Sequence, residues 1–260
     1  MELPGTRAVA ARTLWLDRAG STNDELLAHA TGVDAAEWPS LSLVATDTQT
    51  AGRGRLGRVW TAPPGASLAA SLLLRPRLPV EAYGWLPLLA GLAMTQTLRG
   101  VGAAARLKWP NDVLIGGRKV CGILAELLPD ASGVVIGSGV NLTLADEDLP
   151  VPTATSLRIE GVETTADAVL AAYVTEVAAL LAALESAEGD ADRSGLRVAV
   201  TEACDTIGRA VRVELPSRGQ LVGTAIGLDP DGRLLVQDEI AGSGRDAVAV
   251  AAGDVTHLRY

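Results

Sequence analysis

Residues 105–144 constrain the fold more than any other part of the chain. They run ARLKW, a break at Pro110, VLI, Gly116-Gly117, KVCGILAEL, the turn PDASG and VVIGSGVNL. Apolar runs separated by connections this short pair as antiparallel neighbours, because a parallel crossover needs a dozen or more linking residues. Gly116-Gly117 is the kind of two-residue hairpin turn that asks for positive φ at both positions. A meander of this type must cover at least one face with an apolar layer. That layer is aliphatic here: hydrophobic residues make up 48% of the 260, yet phenylalanine is absent and aromatics reach only 3%.

The remaining patterns supply the cover. Ser21-Thr22-Asn23-Asp24-Glu25 precedes LLAHA, and a capping box of Ser21 with Asp24, or of Thr22 with Glu25, opens a helix to about Ala30. LSLVAT (41–46) and ASLAASLLLRP (66–76) read as strands, the second stopped by Pro76. YGWLPLLAGLAMTQTLRG is helical, with Pro87 in its first turns and Gly100 as its stop. The clearest helix is 164–186, with Thr164 and Asp167 as its cap, and a shorter one covers roughly 191–204. Strands interleaved with helices predict a domain of mixed α and β structure. After Gly208 the texture changes to short β patterns: RAVRVEL, GQLVGTAIGLD, GRLLVQD and DAVAVAAGDV. The expected organisation is one domain over 1–205 and a small β-barrel of SH3-like size over 206–260.

Formal charge is −9, from 31 acidic and 22 basic residues. That opposes a general nucleic-acid or anionic-membrane partner, since phosphate binding needs a positive footprint. The N-terminus MELPGTRAVA lacks the apolar run of a signal peptide, and no 18-residue apolar span is expected. Cys121 and Cys204 form no CxxC pair and read as small buried apolar residues. These features predict a soluble, cytoplasmic protein with neither DNA nor membrane as partner.

The densest basic cluster lies in QTAGRGRLGRVW, Gln49 to Trp60. Gly52-x-Gly54-x-x-Gly57 matches a dinucleotide fingerprint literally, but Pro63, Pro64 and Gly65 stand where the crossover helix should run, and no acid follows before Glu81. Glycines that expose N–H groups, interleaved with planar arginine forks, suit phosphate beside carboxylate instead. A non-enzymatic RG-type nucleic-acid binder would need a basic, aromatic-interleaved surface, and the chain is acidic. Gly65-x-Ser67-x-Ala69 is nearly a nucleophile elbow; with His29 and His257 the only histidines, His257 would have to be its base, and Ser67 falls inside a strand pattern.

GRGRLGRVW, KWPNDVLIGGRKVCGILAE and VIGSGVN, in that order, together with the upstream STN and the terminal β module, resemble the biotin protein ligases (biotin–[acetyl-CoA-carboxylase] ligases). The resemblance runs from about Ala19 to Tyr260 and implies a catalytic domain of the biotin/lipoate ligase type, resembling class II synthetases, with an SH3-like barrel behind it. The fold it implies for that domain is α/β (α+β), on a mixed sheet with the helices mainly on one face. It implies two steps: biotin and ATP give biotinyl-5′-adenylate and pyrophosphate, and a lysine of a biotin carboxyl carrier domain of a biotin-dependent carboxylase then takes the biotin, releasing AMP. The related lipoate ligases share the fold and the adenylation but lack the GRGRxGR signature. Repressor-type members carry a winged-helix domain ahead of the catalytic one; little chain precedes Ser21 here, so the type without operator binding is expected.

Carried over residue by residue, the resemblance gives biotin contacts to Ser21, Thr22, Asn23, Gln49, Gly52, Arg53, Gly54, Arg55, Lys119 and Gly122. It gives ATP contacts to Arg53, Arg55, Arg58, Trp60, Lys108, Asn111, Gly139 and Asn141. Arg53, Lys108, Lys119 and Asp112 are the expected catalytic groups, with Asp112 either a ligand of Mg²⁺ accompanying ATP or a guide for the incoming lysine. Leu56 departs from the second arginine found in many members, which removes one charge contact from the loop.

Overall fold

The meander forms as its turn spacing requires. A computed structural model describes residues 1–215, 219–238, 247–251 and 254–258. Its first part contains α1 (Pro4–Val9), β1 (Arg12–Trp15), α2 (Thr22–Thr31), β2 (Ser42–Thr46), β3 (Gly52–Arg53), β4 (Val59–Trp60), β5 (Ser67–Leu74) and α3 (Leu86–Gly100). Then follow β6 (Ala105–Lys108), β7 (Asp112–Ile115), β8 (Arg118–Leu127), β9 (Val134–Asn141), α4 (Ala166–Ser186) and α5 (Leu196–Ala203). Gly116 and Gly117 take φ of 57° and 78° between β7 and β8, so the hairpin turn has the backbone that glycine permits.

Seven strands make one mixed sheet in the order β1-β2-β5-β9-β8-β7-β6, in which only β1 and β2 run parallel. Strand alternation divides its side chains between two faces. Leu68, Ala70, Leu72 and Leu74 of β5 and Val134, Ile136 and Val140 of β9 join the main core with α3 and α4. Leu73 and Val135 point the other way, into a smaller cluster with Leu26, Ala30 and Trp38 beneath α2. Helices therefore lie mainly on one face, as expected, but α2 crosses to the other and covers only part of it. Ser71, Gly137, Gly139 and Asn141 share the face that α2 leaves partly open.

Several local expectations are corrected. The cap of α4 is Thr165, whose side chain accepts from Ala168 N at 3.1 Å, not Thr164. Asp167 faces the N-terminal segment, which the sequence pattern left unassigned. α1 has no side-chain cap of its own, and Asp167 accepts from Gly5 N (2.9 Å), Thr6 N (2.8 Å) and Thr6 Oγ1 (2.7 Å), satisfying donors that the helix start leaves open. At α2, Ser21 is the N-cap residue but makes no capping bond, because the neighbouring polar side chains are used elsewhere. α4 is also long and apolar enough to cross a bilayer by composition, contrary to expectation. Its Val169, Leu170, Tyr173, Val174 and Val177 are instead buried in the main core, each contributing about 1.5–3 kcal/mol.

The second part holds β10 (Ala210–Leu215), β11 (Gly219–Leu228), β12 (Leu234–Asp238), β13 (Val248–Val250) and β14 (Asp254–His257). They form a five-stranded antiparallel sheet in the order β13-β12-β11-β10-β14. The parts of the expected barrel at 216–218, 239–246, 252–253 and 259–260 lie outside the described residues. Trp85 Nε1 donates to Pro230 O at 2.8 Å and Trp109 Nε1 to Gly232 O at 3.1 Å, so two indoles fasten this sheet to the first.

Asp167 tests how α1 is held. Burial raises its pKa, but the Thr6 hydroxyl and the Thr6 and Gly5 amides outweigh that and leave it below the usual aspartate value. A depressed carboxylate stabilises the fold above its unfolded pKa and loses that contribution as pH falls through the folded one. Asp167→Ala is expected to cost about 2 kcal/mol in urea unfolding at neutral pH, and the difference from the parent should shrink in acid below the ordinary aspartate range.

Candidate active site

The open face of the sheet is floored by residues with little or no side chain. Ser71 pairs with Gly137 and Gly137 with Leu124; Ala69 pairs with Gly139, Gly139 with Gly122, and Gly122 with Asp112. Because paired residues share a face, these two rows leave a trough, part of a cleft of about 710 Å³. Parts of this space are taken by Asn23 from α2, Trp60 from the ribbon strand β4 and Lys119 from the start of β8. A Cβ on Gly137 would collide with Asn23 Oδ1, one on Gly139 would come within 2.5 Å of Trp60, and one on Gly122 within 2.9 Å of Lys119 Nζ. Gly122 and Gly139 are thus close-approach positions, and Gly137, absent from the sequence expectation, is a third.

One wall is the start of α2, where Ser21, Thr22 and Asn23 are all buried. Ser71 Oγ lies 2.6 Å from Asn23 Oδ1 and 2.8 Å from Thr22 Oγ1, so its single proton serves one of them. Asn23 Nδ2 donates to Glu126 Oε2 at 2.6 Å and reaches Leu124 O at 3.3 Å. Gln49 Oε1 accepts from Thr22 N at 2.9 Å and from its hydroxyl at 3.1 Å. Gln49 Nε2 lies directly over Gly52, whose missing side chain makes room for it. Gly52 is consequently a support beneath Gln49 rather than a part of the cleft lining. Ser71 and Glu126 complete this polar set and were not singled out from sequence, since a serine inside SLAASLLL reads as core.

Over the cleft lies the Gly/Arg segment. It folds as a two-stranded ribbon, Gly52 pairing with Trp60 and Arg53 with Val59, and turns through Leu56 (φ 56°) and Gly57 (φ 73°). Only a single 3-10 turn, Arg55–Gly57, forms here and no α-helix opens, which removes the dinucleotide reading. Gly54, Arg55, Arg58 and Trp60 line the cleft as expected. Arg53 also lines it, but its guanidinium pairs with Asp24 and, at 3.0 Å, with Glu126. Arg55 Nη1 donates to Asn111 Oδ1 at 3.1 Å, fastening the ribbon to the turn between β6 and β7.

The deep end is cationic. Lys119 Nζ sits 2.6 Å from Asp112 Oδ1 and 5.8 Å above the Trp60 ring, while Lys108 stands at the end of β6, paired in register with Asp112. Asn111 Nδ2 donates to Ile123 O at 2.7 Å and Asn141 Nδ2 to Thr155 O at 2.8 Å, so both amides are fixed in orientation. Cys121, next to Gly122 but turned into the main core on the opposite face, is fully buried and its thiol is pushed up to about 12 by burial, with Lys119 pulling down and Asp112 up; it is an inert packing group. Asp205, at the end of the first part, and Arg209 and His257 from the C-terminal part add a further wall. His257 Nε2 lies 3.1 Å from Thr206 Oγ1, which accepts from Trp109 N at 3.1 Å, so this wall is tied to the residue next to Lys108. Ser67 is buried at the start of β5, where a turn enters a strand, and the elbow of a serine hydrolase is therefore not formed.

Comparison with known proteins gives the same assignment independently. Residues 15–141 match the biotin/lipoate A/B protein ligase family and residues 206–257 the biotin protein ligase C-terminal domain. The chain is 39% identical over 248 residues to a biotin–[acetyl-CoA-carboxylase] ligase of Mycobacterium tuberculosis, covering 93% of this chain and 87% of that one. It is 44% identical over 138 residues to the enzyme of the same name from Paracoccus denitrificans, covering 51% and 55% of the two chains. In fold it resembles the biotin protein ligase of Aquifex aeolicus in complex with biotin and ATP, with a TM-score of 0.75 at 24% identity over 96% of this chain and 99% of that one. The chain belongs to the biotin protein ligase family.

The trough makes a direct demand on its glycines. Gly137→Ala is expected to expel Asn23 from its seat and to lower unfolding stability by about 1–3 kcal/mol, as overpacking does. A denaturation midpoint equal to the parent's would show that the Asn23 cluster tolerates a methyl group there.

Proposed function

We propose that this chain is an ATP-dependent ligase that activates biotin as biotinyl-5′-adenylate and transfers it to a lysine of a biotin carboxyl carrier domain. One observation carries the reading: the buried, uncharged side chains of Ser21, Thr22 and Asn23 and the two lysines Lys108 and Lys119 line the same cleft, beneath the same arginine ribbon. The first suits an uncharged ureido ring, which needs donors and acceptors away from water. The second suits the meeting of a carboxylate with a polyphosphate, which repel each other until both are neutralised.

On this reading Ser21, Thr22, Asn23 and Gln49 hold the ureido ring, while Gly139 and Gly122 seat Trp60 and Lys119 against the sheet so that both face the ligand. Lys119, seated by Asp112, meets the biotin carboxylate and the α-phosphate. The carboxylate oxygen attacks the α-phosphorus, the bond to the β-phosphate bridging oxygen breaks, and pyrophosphate leaves. Lys119 and Lys108 stabilise the charge that develops, and Arg55 and Arg58 cover the adenylate and exclude water. The acceptor amine, deprotonated, then attacks the carbonyl of the mixed anhydride, forming the amide and releasing AMP. Arg53 is a weaker candidate for direct contact than its sequence position implied, because Asp24 and Glu126 already engage it.

Magnesium enters as part of the ATP substrate. Among the described residues no group of three His, Cys, Asp or Glu side chains is placed to hold a metal alone, which accords with an ion that keeps most of its waters and takes one or two carboxylate or amide oxygens. Asp112 and Asn141 are the side chains fitted to join that shell. We assign the adenylation to residues 1–205 and a closing, supporting role to 206–260, a division supported by the two separate sheets. A cytoplasmic location accords with the ATP requirement and with two free, buried cysteines.

Biotin, ATP and Mg²⁺ with the purified chain should release pyrophosphate without any acceptor; a flat signal would end this reading. Lys119→Ala is expected to slow adenylate formation by about 10²–10³-fold, as loss of one preorganised charge stabiliser does. Arg55→Gly should loosen the ribbon's hold on Asn111 and on the adenylate, seen as biotin appearing on lysines of unrelated proteins in the same reaction.

A further inference from the structure

Lys119 is held by its own hairpin on one side only, opposite Leu114 and next to an irregularity in the ladder. Between β7 and β8 the register runs from Val113 opposite Cys121 to Leu114 opposite Lys119, so Val120 is left over as a bulge. A bulge re-aims the neighbouring side chain and weakens the ladder that would otherwise hold it. The missing constraint comes from a separate segment. Lys119 N donates to Thr153 O at 2.7 Å and Lys119 O accepts from Thr155 N at 2.8 Å, a parallel bridge centred on Ala154.

Thr155 does more than close this bridge. It is fully buried, and its carbonyl accepts from Asn141 Nδ2 at 2.8 Å. One residue thus fixes the backbone of Lys119 and the side chain of Asn141, which stand on different strands. Its hydroxyl points away from both and donates to Glu160 Oε1 at 2.6 Å; the same oxygen accepts from Arg118 Nη2 at 2.7 Å. Arg118 is the residue immediately before Lys119. Glu160 therefore closes a ring: through Arg118 to the start of β8, and through Thr155 to Lys119 and Asn141.

We propose that Thr155 and Glu160 are positioning residues for the adenylation step, setting the Lys119 ammonium and the Asn141 amide relative to each other across the nucleotide end of the cleft. Neither side chain touches the reacting atoms. Their effect is geometric: misplacement of a charge stabiliser by an ångström is enough to slow a reaction about a hundredfold. The inference rests on the roles given above to Lys119 and Asn141.

The test is biotin-dependent ATP–pyrophosphate exchange, read together with thermal unfolding. Thr155→Val keeps the backbone bonds and the shape but removes the hydroxyl, and Glu160→Ala removes the carboxylate; each is expected to lower kcat about tenfold or more. Thr155→Ser restores the hydroxyl and is expected to return kcat to the parental level. Ser156→Ala is the control, since Ser156 Oγ donates to Leu144 O at 2.7 Å and braces the same segment without touching Lys119 or Asn141; its kcat should stay at the parental value even where its Tm falls. Parental kcat in Thr155→Val, failure of Thr155→Ser to restore, or an equal loss in Ser156→Ala would each overturn the inference alone. Absence of exchange in the parent chain would overturn the function beneath it, and the inference with it.

Discussion

The whole site depends on a patch of small residues on one face of one sheet. Ser71, Gly137, Gly139 and Gly122 carry nothing larger than a hydroxymethyl group, and over them lie Asn23 from α2, Trp60 from the ribbon and Lys119 from the start of β8. The opposite face of the same strands is packed with leucine, valine and isoleucine. The period-two alternation of β5 and β9 does both jobs with one backbone: the apolar set anchors the sheet to α3 and α4, and the small set leaves room for a ligand. Rigidity behind and vacancy in front come from the same residues in sequence, which is how the trough can be held open without collapsing.

Electrostatics follows from this arrangement. A strongly acidic chain concentrates its useful positive charge in one cleft, and most of those charges are already answered by carboxylates or amides: Lys119 by Asp112, Arg53 by Asp24 and Glu126, Arg55 by Asn111. An anion entering the cleft competes for cations that are held in place rather than gathering them from solvent. The geometry is prepared in advance, at the expense of some binding strength.

Much of the fold was legible in the sequence. The strands of 105–144, the Gly-Gly turn and the helix at 166–186 appear nearly where spacing put them, because each is a local signal: turn residues, period-two alternation, apolar helical spacing. The candidate site residues were picked out only because three motifs and the upstream STN occur together. What escaped depended on distant partners. Asp167 looked like a helix cap and instead completes α1, more than 160 positions away in the chain. Arg53 looked like an anion grip until Asp24 and Glu126 were brought to it from α2 and β8. Ser71, Thr155 and Glu160 lie in no motif, and Glu126 ends one without any role read from it; only the tertiary structure gives the four their partners.

The indoles of Trp85 and Trp109 reach across to carbonyls of the loop at 230–232, and Trp109 is flanked by Lys108 and Pro110. The C-terminal sheet is therefore no appended passenger. Its removal would strand two buried N–H donors and take away Thr206, the acceptor for the Trp109 amide, leaving the hairpin that presents Lys108 without its brace. On the proposed assignment of the site, a shortened chain ending near residue 205 would lose alignment at the lysine end of the cleft while keeping the polar cluster of α2, and so would hold the vitamin without bringing it to react.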